Sequence, residues 1–373
     1  MNGQASRPDA AVVLAASAPA NARKNRSVEI EGGRMLHLLG RFGLVMLLAG
    51  VLATFSIWKP ESFFVWDNFR ATFAQQAIIL MVALAAMMPL IVGEFDLSVG
   101  ANAGFASIFA VGLSDNQGLN PWLAIIVAVA ISGFVGLANG LIITRLKVNS
   151  FVATLGMATI LGGIGALYTH EQDLQSAPAG LLRIGRAQLF GLQMTVVVAI
   201  VIAAALAVAL QYLAIGRQFL AVGANRRAAE LTGIRANRRI VLAFVVGGVI
   251  AGIGGALYGA NLGAAGLATG STLLLPAFAG AFLGSTTITP GRYNVAGTVV
   301  AVLLLAFTVS GLEQVGVQPW IESVVQGVAL IAAVAFSSWA IRLRTARLRD
   351  AQLALLAEED AADTAALESE ATA

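Results

Sequence analysis

Ten apolar runs, separated by short polar or Gly/Pro-rich breaks, organise this chain. They cover approximately residues 36–58, 73–92, 97–113, 121–143, 150–168, 192–213, 240–260, 272–288, 295–312 and 320–340. A helix needs roughly 20 apolar residues to cross the hydrocarbon of a bilayer, and the runs lie close to that length. The pattern predicts an all-α polytopic membrane protein with about ten transmembrane helices, packed as one bundle over residues 34–341.

Basic residues fix how the runs alternate. With the N-terminus inside and every run crossing, the inner segments hold 19 Lys and Arg side chains and the outer segments only Lys59, Arg70, Arg183 and Arg186. Cytoplasmic segments carry the excess of positive charge, so the split predicts cytoplasmic N- and C-termini. It also argues that the short run at 97–113 crosses. If it did not, Arg145, Lys147 and the basic segment at 215–239 would face away from the N-terminal basic cluster. Trp58, Trp66, Trp122, Trp320 and Trp339 fall at or just beyond span ends, where an indole anchors at the headgroup level. Residues 1–33 read as a disordered basic cytoplasmic tail. Residues 342–373 read as a second tail, acidic from Asp350.

Composition narrows the chemistry. The chain is 58% hydrophobic and 12% charged, with a mean hydropathy of +0.82, whereas about a quarter of residues in soluble domains are charged. It has no cysteine, which excludes disulfides, thiolate metal sites and a cysteine nucleophile. His37 and His170 lie near or outside span ends, which argues against a buried histidine relay or metal site. Lys24, Lys59 and Lys147 are the only lysines, and none sits in a Gly-x-x-x-x-Gly-Lys-Ser/Thr setting. No soluble stretch is long enough for a nucleotide-binding domain. Neither a catalytic residue nor a cofactor is expected in this chain; if transport is ATP-driven, ATP and magnesium belong to a partner ATPase. The 40 glycines are spread through the spans, where small residues let helices approach closely.

One segment does not belong in a membrane. Residues 215–239 hold six of the 20 arginines. Within it, Asn225 is a good N-cap, Arg226 to Leu231 favour helix, and Gly233 is a good C′ stop. A short capped helix outside the membrane points to docking on a cytoplasmic partner, with the small Ala228 and Ala229 face packing closely in a partner's groove.

A second stretch is Ile91-Val-Gly-Glu-Phe-Asp-Leu-Ser-Val-Gly100. Its two carboxylates lie between apolar runs. One reading is a broken-helix element near a translocation path, tolerable only if buried in protein or facing water. The other has Asp96 or Ser98 capping the next span, with Glu94 in cytoplasmic water. The path candidates are Glu94, Asp96, Ser98, Asn102 and Asn139. Ser107, Ser132, Thr154, Thr308 and Ser310 are further polar positions inside spans, most of them expected to bond between helices. Glu322 and Gln326 share a helical face. Residues 284–294 read as an inner turn or a second, smaller contact surface.

Three stretches resemble the inner-membrane permease subunits of bacterial ABC importers of the ribose type. Gly93-Glu-Phe-Asp-Leu-Ser-Val-Gly100 is similar to the family's Gly-Gly-x-Asp-Leu-Ser-Val-Gly signature, with Glu94 in place of the usual glycine. Gly223-Ala-Asn-Arg-Arg-Ala-Ala-Glu-Leu-Thr-Gly-Ile234 is similar to its cytoplasmic coupling segment, matching at Gly223, Asn225, Ala228, Ala229, Gly233 and Ile234 and including Glu230. Pro276 to Ser285, onward through Gly297-Thr298, resembles a late turn and span, with Ser285 and Pro290 where glycines are usual.

The resemblance covers roughly residues 40–340. It implies a ten-span permease with the ABC importer permease fold in the bacterial inner membrane, working as a homodimer or with a paralogous permease. The partners it implies are a cytoplasmic ABC ATPase and a periplasmic or lipid-anchored substrate-binding protein; no nucleic acid is expected. The solute would be small and neutral, a monosaccharide or polyol, moved by alternating access. Two other readings stand beside it. One is an ion-coupled secondary transporter using Glu94 and Asp96. The other is a membrane scaffold whose basic loop meets anionic lipid.

Overall fold

A computed structural model of the protein describes residues 41–335. The two tails expected at 1–33 and 342–373, and Trp339, lie outside the described residues. In chain order the elements are α1 (Arg41–Trp58), α2 (Trp66–Ile91), α3 (Val99–Asp115), α4 (Pro121–Arg145), α5 (Ser150–Thr169) and α6 (Ala179–Gly185). A small hairpin, β1 (Gln188–Leu189) with β2 (Leu192–Gln193), precedes α7 (Met194–Tyr212), α8 (Ala214–Ala224) and α9 (Arg226–Leu231). The chain then forms α10 (Ala236–Leu262), α11 (Thr269–Gly284), α12 (Val295–Gln314) and α13 (Trp320–Ala335). Each of the ten apolar runs has its helix, and seven of these are long and apolar enough to cross a membrane. The shorter α3 and α11 have 17 and 16 residues. The elements α6, β1 and α8 lie in segments that the apolar pattern left unassigned, and β2 takes the first two residues of the run at 192–213.

Local chemistry marks the helix starts. The side chains of Asn120, Asn149 and Asn294 accept from Trp122 N, Phe151 N and Gly297 N at the beginnings of α4, α5 and α12. These bonds satisfy backbone donors that a helix leaves free.

The bundle has two distinct ends. One carries α8 and α9, the α2–α3 connection, the α4–α5 turn and the α11–α12 turn. Ile288 N in the last of these bonds to Arg41 O at 2.7 Å, and Thr287 Oγ1 bonds to the same oxygen at 2.8 Å. Asn294 ties the same turn together from within, so residues 284–294 form a braced turn. Of the basic side chains among the described residues, only Lys59, Arg70, Arg183 and Arg186 lie at the opposite end. Trp58, Trp66, Trp122 and Trp320 are all exposed there. We refer to the α8–α9 end as the basic end.

α2 and α10 form the buried centre. From Met81 to Ile91 every residue of α2 is buried. Small residues set the close contacts. A Cβ on Gly140 would lie 2.8 Å from Val241 Cα, one on Gly248 3.2 Å from Gly136 Cα, and one on Gly259 2.7 Å from Ser107 Oγ. Gly140, Gly248 and Gly259 thus lie at seams of the bundle, the close approach expected of small residues in the spans.

The chain also carries an inverted repeat. Elements of the first half recur with numbers 170 higher: Trp66 and Ala236 open α2 and α10, Val99 and Thr269 open α3 and α11, and Ser150 and Trp320 open α5 and α13. Gly93 and Gly263, also 170 apart, have φ of +85° and +81° just after α2 and α10. α2 runs toward the basic end and α10 runs away from it, so the halves have opposite topology. As a result α3 enters from the basic end and α11 from the opposite end. Their first turns meet inside the bundle, where a Cβ on Gly104 would lie 2.7 Å from Gly270 N and one on Gly270 would lie 2.8 Å from Ala101 Cα.

Candidate functional site

The basic end is built from two short helices laid across the bundle. α8 buries Gly216, Phe219 and Val222, one face at helical spacing. The chain then turns at Asn225, which is extended at φ −161°, and the Asn225 side chain accepts from Ala228 N at 3.0 Å. α9 closes at its other end with both bonds of a Schellman stop. Gly233 N donates to Glu230 O at 3.0 Å, Ile234 N donates to Ala229 O at 3.1 Å, and Gly233 has φ +85°. Six residues are too few to hold a helix by propensity alone, so the caps and the packing beneath define it.

The small face expected of Ala228 and Ala229 is not a shared outward face. Ala229 is buried against the bundle, while Ala228 and Glu230 are exposed. Positions two apart on a helix differ by roughly 200°, so burying Ala229 turns Leu231 outward. Leu231 is 85% exposed. Sequence reasoning counted it only as a helix former; the wheel position relative to Ala229 was the signal that could have singled it out.

The α2–α3 connection is the second part of the site. α2 also ends in a Schellman stop, with Glu94 N to Pro89 O at 3.0 Å and Gly93 N to Leu90 O at 3.1 Å. Beyond it the backbone is not helical and is held by side chains of α5. Ser150 Oγ accepts from Phe95 N at 3.2 Å, and Thr154 Oγ1 accepts from Leu97 N at 3.0 Å.

Asp96, Ser98, Asn102 and Asn139 are all buried. The Asp96 carboxylate accepts from Ser98 N at 2.9 Å and from the Ser98 hydroxyl, and Asn139 Nδ2 donates to Ser98 Oγ at 2.8 Å. Asn102, one turn on, donates to Ser132 O at 3.2 Å. Asn102 Oδ1 and Asn139 Oδ1 have no donor among the described residues. Asp96 lies in the connection, outside both helices. Burial pushes its carboxyl up to about 6, against the bonds from Ser98 that hold it down. Ser98 stands at the N-cap position of α3 without a side-chain cap bond; Asp96 reaches the Ser98 amide instead. Thr308 bonds to Leu304 O of its own helix rather than across helices, whereas Ser310 donates to Asn68 Oδ1 on α2 at 3.2 Å.

Glu94 is set apart from this network. Its carboxylate lies 3.9 Å from Arg226 Nη1, and Arg226 also lies 3.6 Å from Glu230 and bonds to Asn237. The sequence left Glu94 either on a path or in cytoplasmic water; in the structure it is a partly buried carboxylate of the connection that faces Arg226 of α9. The backbones also meet here, since a Cβ on Gly223 would overlap the carbonyl oxygen of Ile91. A cavity of about 340 Å³ opens beside the pair, lined by Glu94, Thr144, Lys147, Ser150, Arg226 and Asn237 among others. At the opposite end, a polar cavity of about 320 Å³ is lined by Asn68, Gln75, Gln76, Glu313, Gln314 and Glu322 among others. Glu322 accepts from Gln326 at 2.9 Å, as their shared face predicted.

Residues 68–334 match the family described as branched-chain amino acid transport system / permease component. The chain is 30% identical to the ribose import permease protein of Bacillus subtilis strain 168 over 298 residues, covering 79% of this chain and 90% of that protein. It is 27% identical to the D-allose transport system permease protein of Escherichia coli K12, with the same coverage. It is also 27% identical to the L-arabinose ABC transporter permease protein of Azospirillum brasilense, over 89% of this chain and 93% of that protein. No solved structure matches the chain.

Proposed function

Because the chain belongs to this family of multi-pass membrane permeases, we propose that it is the membrane-spanning subunit of an ATP-binding cassette importer. It works in the bacterial inner membrane, with the basic end in the cytoplasm, as a pair of copies or with a paralogous permease. Its partners are a separate ATPase and a substrate-binding protein on the outer side, and ATP is hydrolysed by the partner. The solute is a small neutral monosaccharide or polyol. This reading of the solute draws on the ribose, D-allose and L-arabinose named for its relatives.

The observation that carries the reading is α9. A six-residue helix closed at both ends, seated on the bundle through Ala229 and leaving Leu231 bare, has the form of a docking knob. An exposed leucine beside a polar rim suits a pocket on a partner, where its burial would contribute roughly 1.5–3 kcal/mol. The discontinuous starts of α3 and α11 support alternating access. In inverted-repeat transporters the solute site lies where such helices meet, and the repeats rock against each other.

The test is uptake by vesicles containing this permease with its partner ATPase and binding protein, using radiolabelled D-ribose, D-allose and L-arabinose in turn. Import of one of them that requires ATP is the expected result. Import by this chain alone, driven by a proton or sodium gradient, would overturn the reading in favour of a secondary transporter.

A further inference from the structure

Resting on the docking role of α9 proposed above, we propose that Glu94 is the positioning residue through which α9 acts on the transmembrane bundle. α8 and α9 are held to the bundle together. Ala229 of α9 is buried, the Gly223 backbone of α8 lies on Ile91 O, and Arg226 of α9 pairs with Glu94 and bonds to Asn237 of α10. The first two are contacts of small or bare backbone groups, which can slide. The Arg226 side chain is the polar attachment of α9, and Glu94 is its contact on the α2–α3 connection. The Arg226 guanidinium lies among Glu94 of the connection, Glu230 of α9 and Asn237 of α10, so its planar fork joins three elements at one point.

What Glu94 is attached to matters more than the pair itself. Residues 94–98 have no helical ladder of their own. Phe95 and Leu97 hang from Ser150 and Thr154 of α5, and Asp96 with Ser98 reaches Asn139 of α4. A displacement of α9 delivered at Glu94 therefore enters α4, α5 and the first turn of α3 together. That first turn is the one that meets α11 at Gly270.

The repeat supplies an internal control. The positions equivalent to Glu94 and Asp96 in the second half, 170 residues on, are Ala264 and Gly266. There a left-handed Gly263, with its N bonded to Gly259 O in place of the Schellman pair, leads into α11 without a carboxylate at either position, and Asp173 from the α5–α6 connection accepts from Leu267 N at 3.2 Å. The backbone does not require Glu94; the half that carries it is the half that faces α9. Arg226 is 46% and Glu94 18% exposed, and pairs this open contribute little to stability. Losing the pair should therefore appear in coupling rather than in folding.

The experiment is a double-mutant cycle with Glu94→Gln, Arg226→Gln and both together, in vesicles carrying the ATPase and the binding protein. The tracer is whichever of the three sugars the wild type imports, and the readout is solute imported per ATP hydrolysed. Each single variant should lower that ratio about fivefold or more, and the double variant should be no worse than the poorer single. Glu94→Gln should co-purify with the ATPase as the wild type does. A wild-type ratio for Glu94→Gln, a double variant whose loss is the product of the singles, or lost co-purification of Glu94→Gln would each overturn the inference. A wild type that neither binds the ATPase nor imports with ATP would overturn the docking role beneath it, and this inference with it.

Discussion

Gly233 offers a perturbation in which backbone and side-chain effects separate. It ends α9 at φ +85°, and a Cβ built there meets nothing within 4 Å. Gly233→Val therefore adds no clash, and its cost is conformational. Holding an L-residue in the left-handed region costs roughly 1–2 kcal/mol, and β-branching puts valine toward the upper end. The variant either bears that strain or opens the stop, releasing the bonds from Gly233 N to Glu230 O and from Ile234 N to Ala229 O. At about 1.4 kcal/mol per tenfold, the closed form of α9 loses roughly 5–30-fold in population. If the ATPase reads the closed form, its Kd for the permease in nanodiscs rises by the same factor. Asparagine tolerates the left-handed region, so Gly233→Asn should stay within about threefold of the wild type, with Gly233→Ala between the two. Valine binding like glycine would show that the partner does not read the shape of α9. Asparagine as damaging as valine would trace the effect to bulk, and the backbone argument would fail.

Leu231→Asp should weaken ATPase association by roughly tenfold or more in the same assay, with Leu231→Met within about threefold, because the loss of a buried leucine contact is worth roughly 1.5–3 kcal/mol. Gly270→Val should lower thermal stability and yield in detergent by driving into Ala101, since overpacking costs about 1–3 kcal/mol, whereas Gly163→Val, with nothing within 4 Å, should leave both unchanged. Asp96 contributes a pH dependence of known sign. Its carboxyl is raised from 3.8 to about 6, so its stabilising contribution is complete below 3.8 and is lost as pH rises through about 6. The melting temperature should therefore fall between pH 5 and pH 7.5, and Asp96→Asn should flatten that slope.

The apolar runs and the basic residues made most of the bundle legible, because lipid imposes one rule on every span and charge sets direction. The cap at Asn225 and the stop at Gly233 were legible for a local reason: each needs a particular residue type at one position. What escaped the sequence depended on facing. Ala229 and Leu231 are both apolar members of a six-residue helix, and which of them turns inward is decided by where α8 lands on α2. α8 itself was not singled out within the basic segment, and the structure uses Gly223 for contact with Ile91. The repeat was hidden more thoroughly, because its halves share backbone rather than chemistry. Gly93, Leu97 and Gly100 correspond to Gly263, Leu267 and Gly270, while Glu94 and Asp96 correspond to Ala264 and Gly266. The shared positions are those the turn and the helix crossing demand. The two carboxylates are what the first half adds, and both lie in the connection to which α9 is fastened.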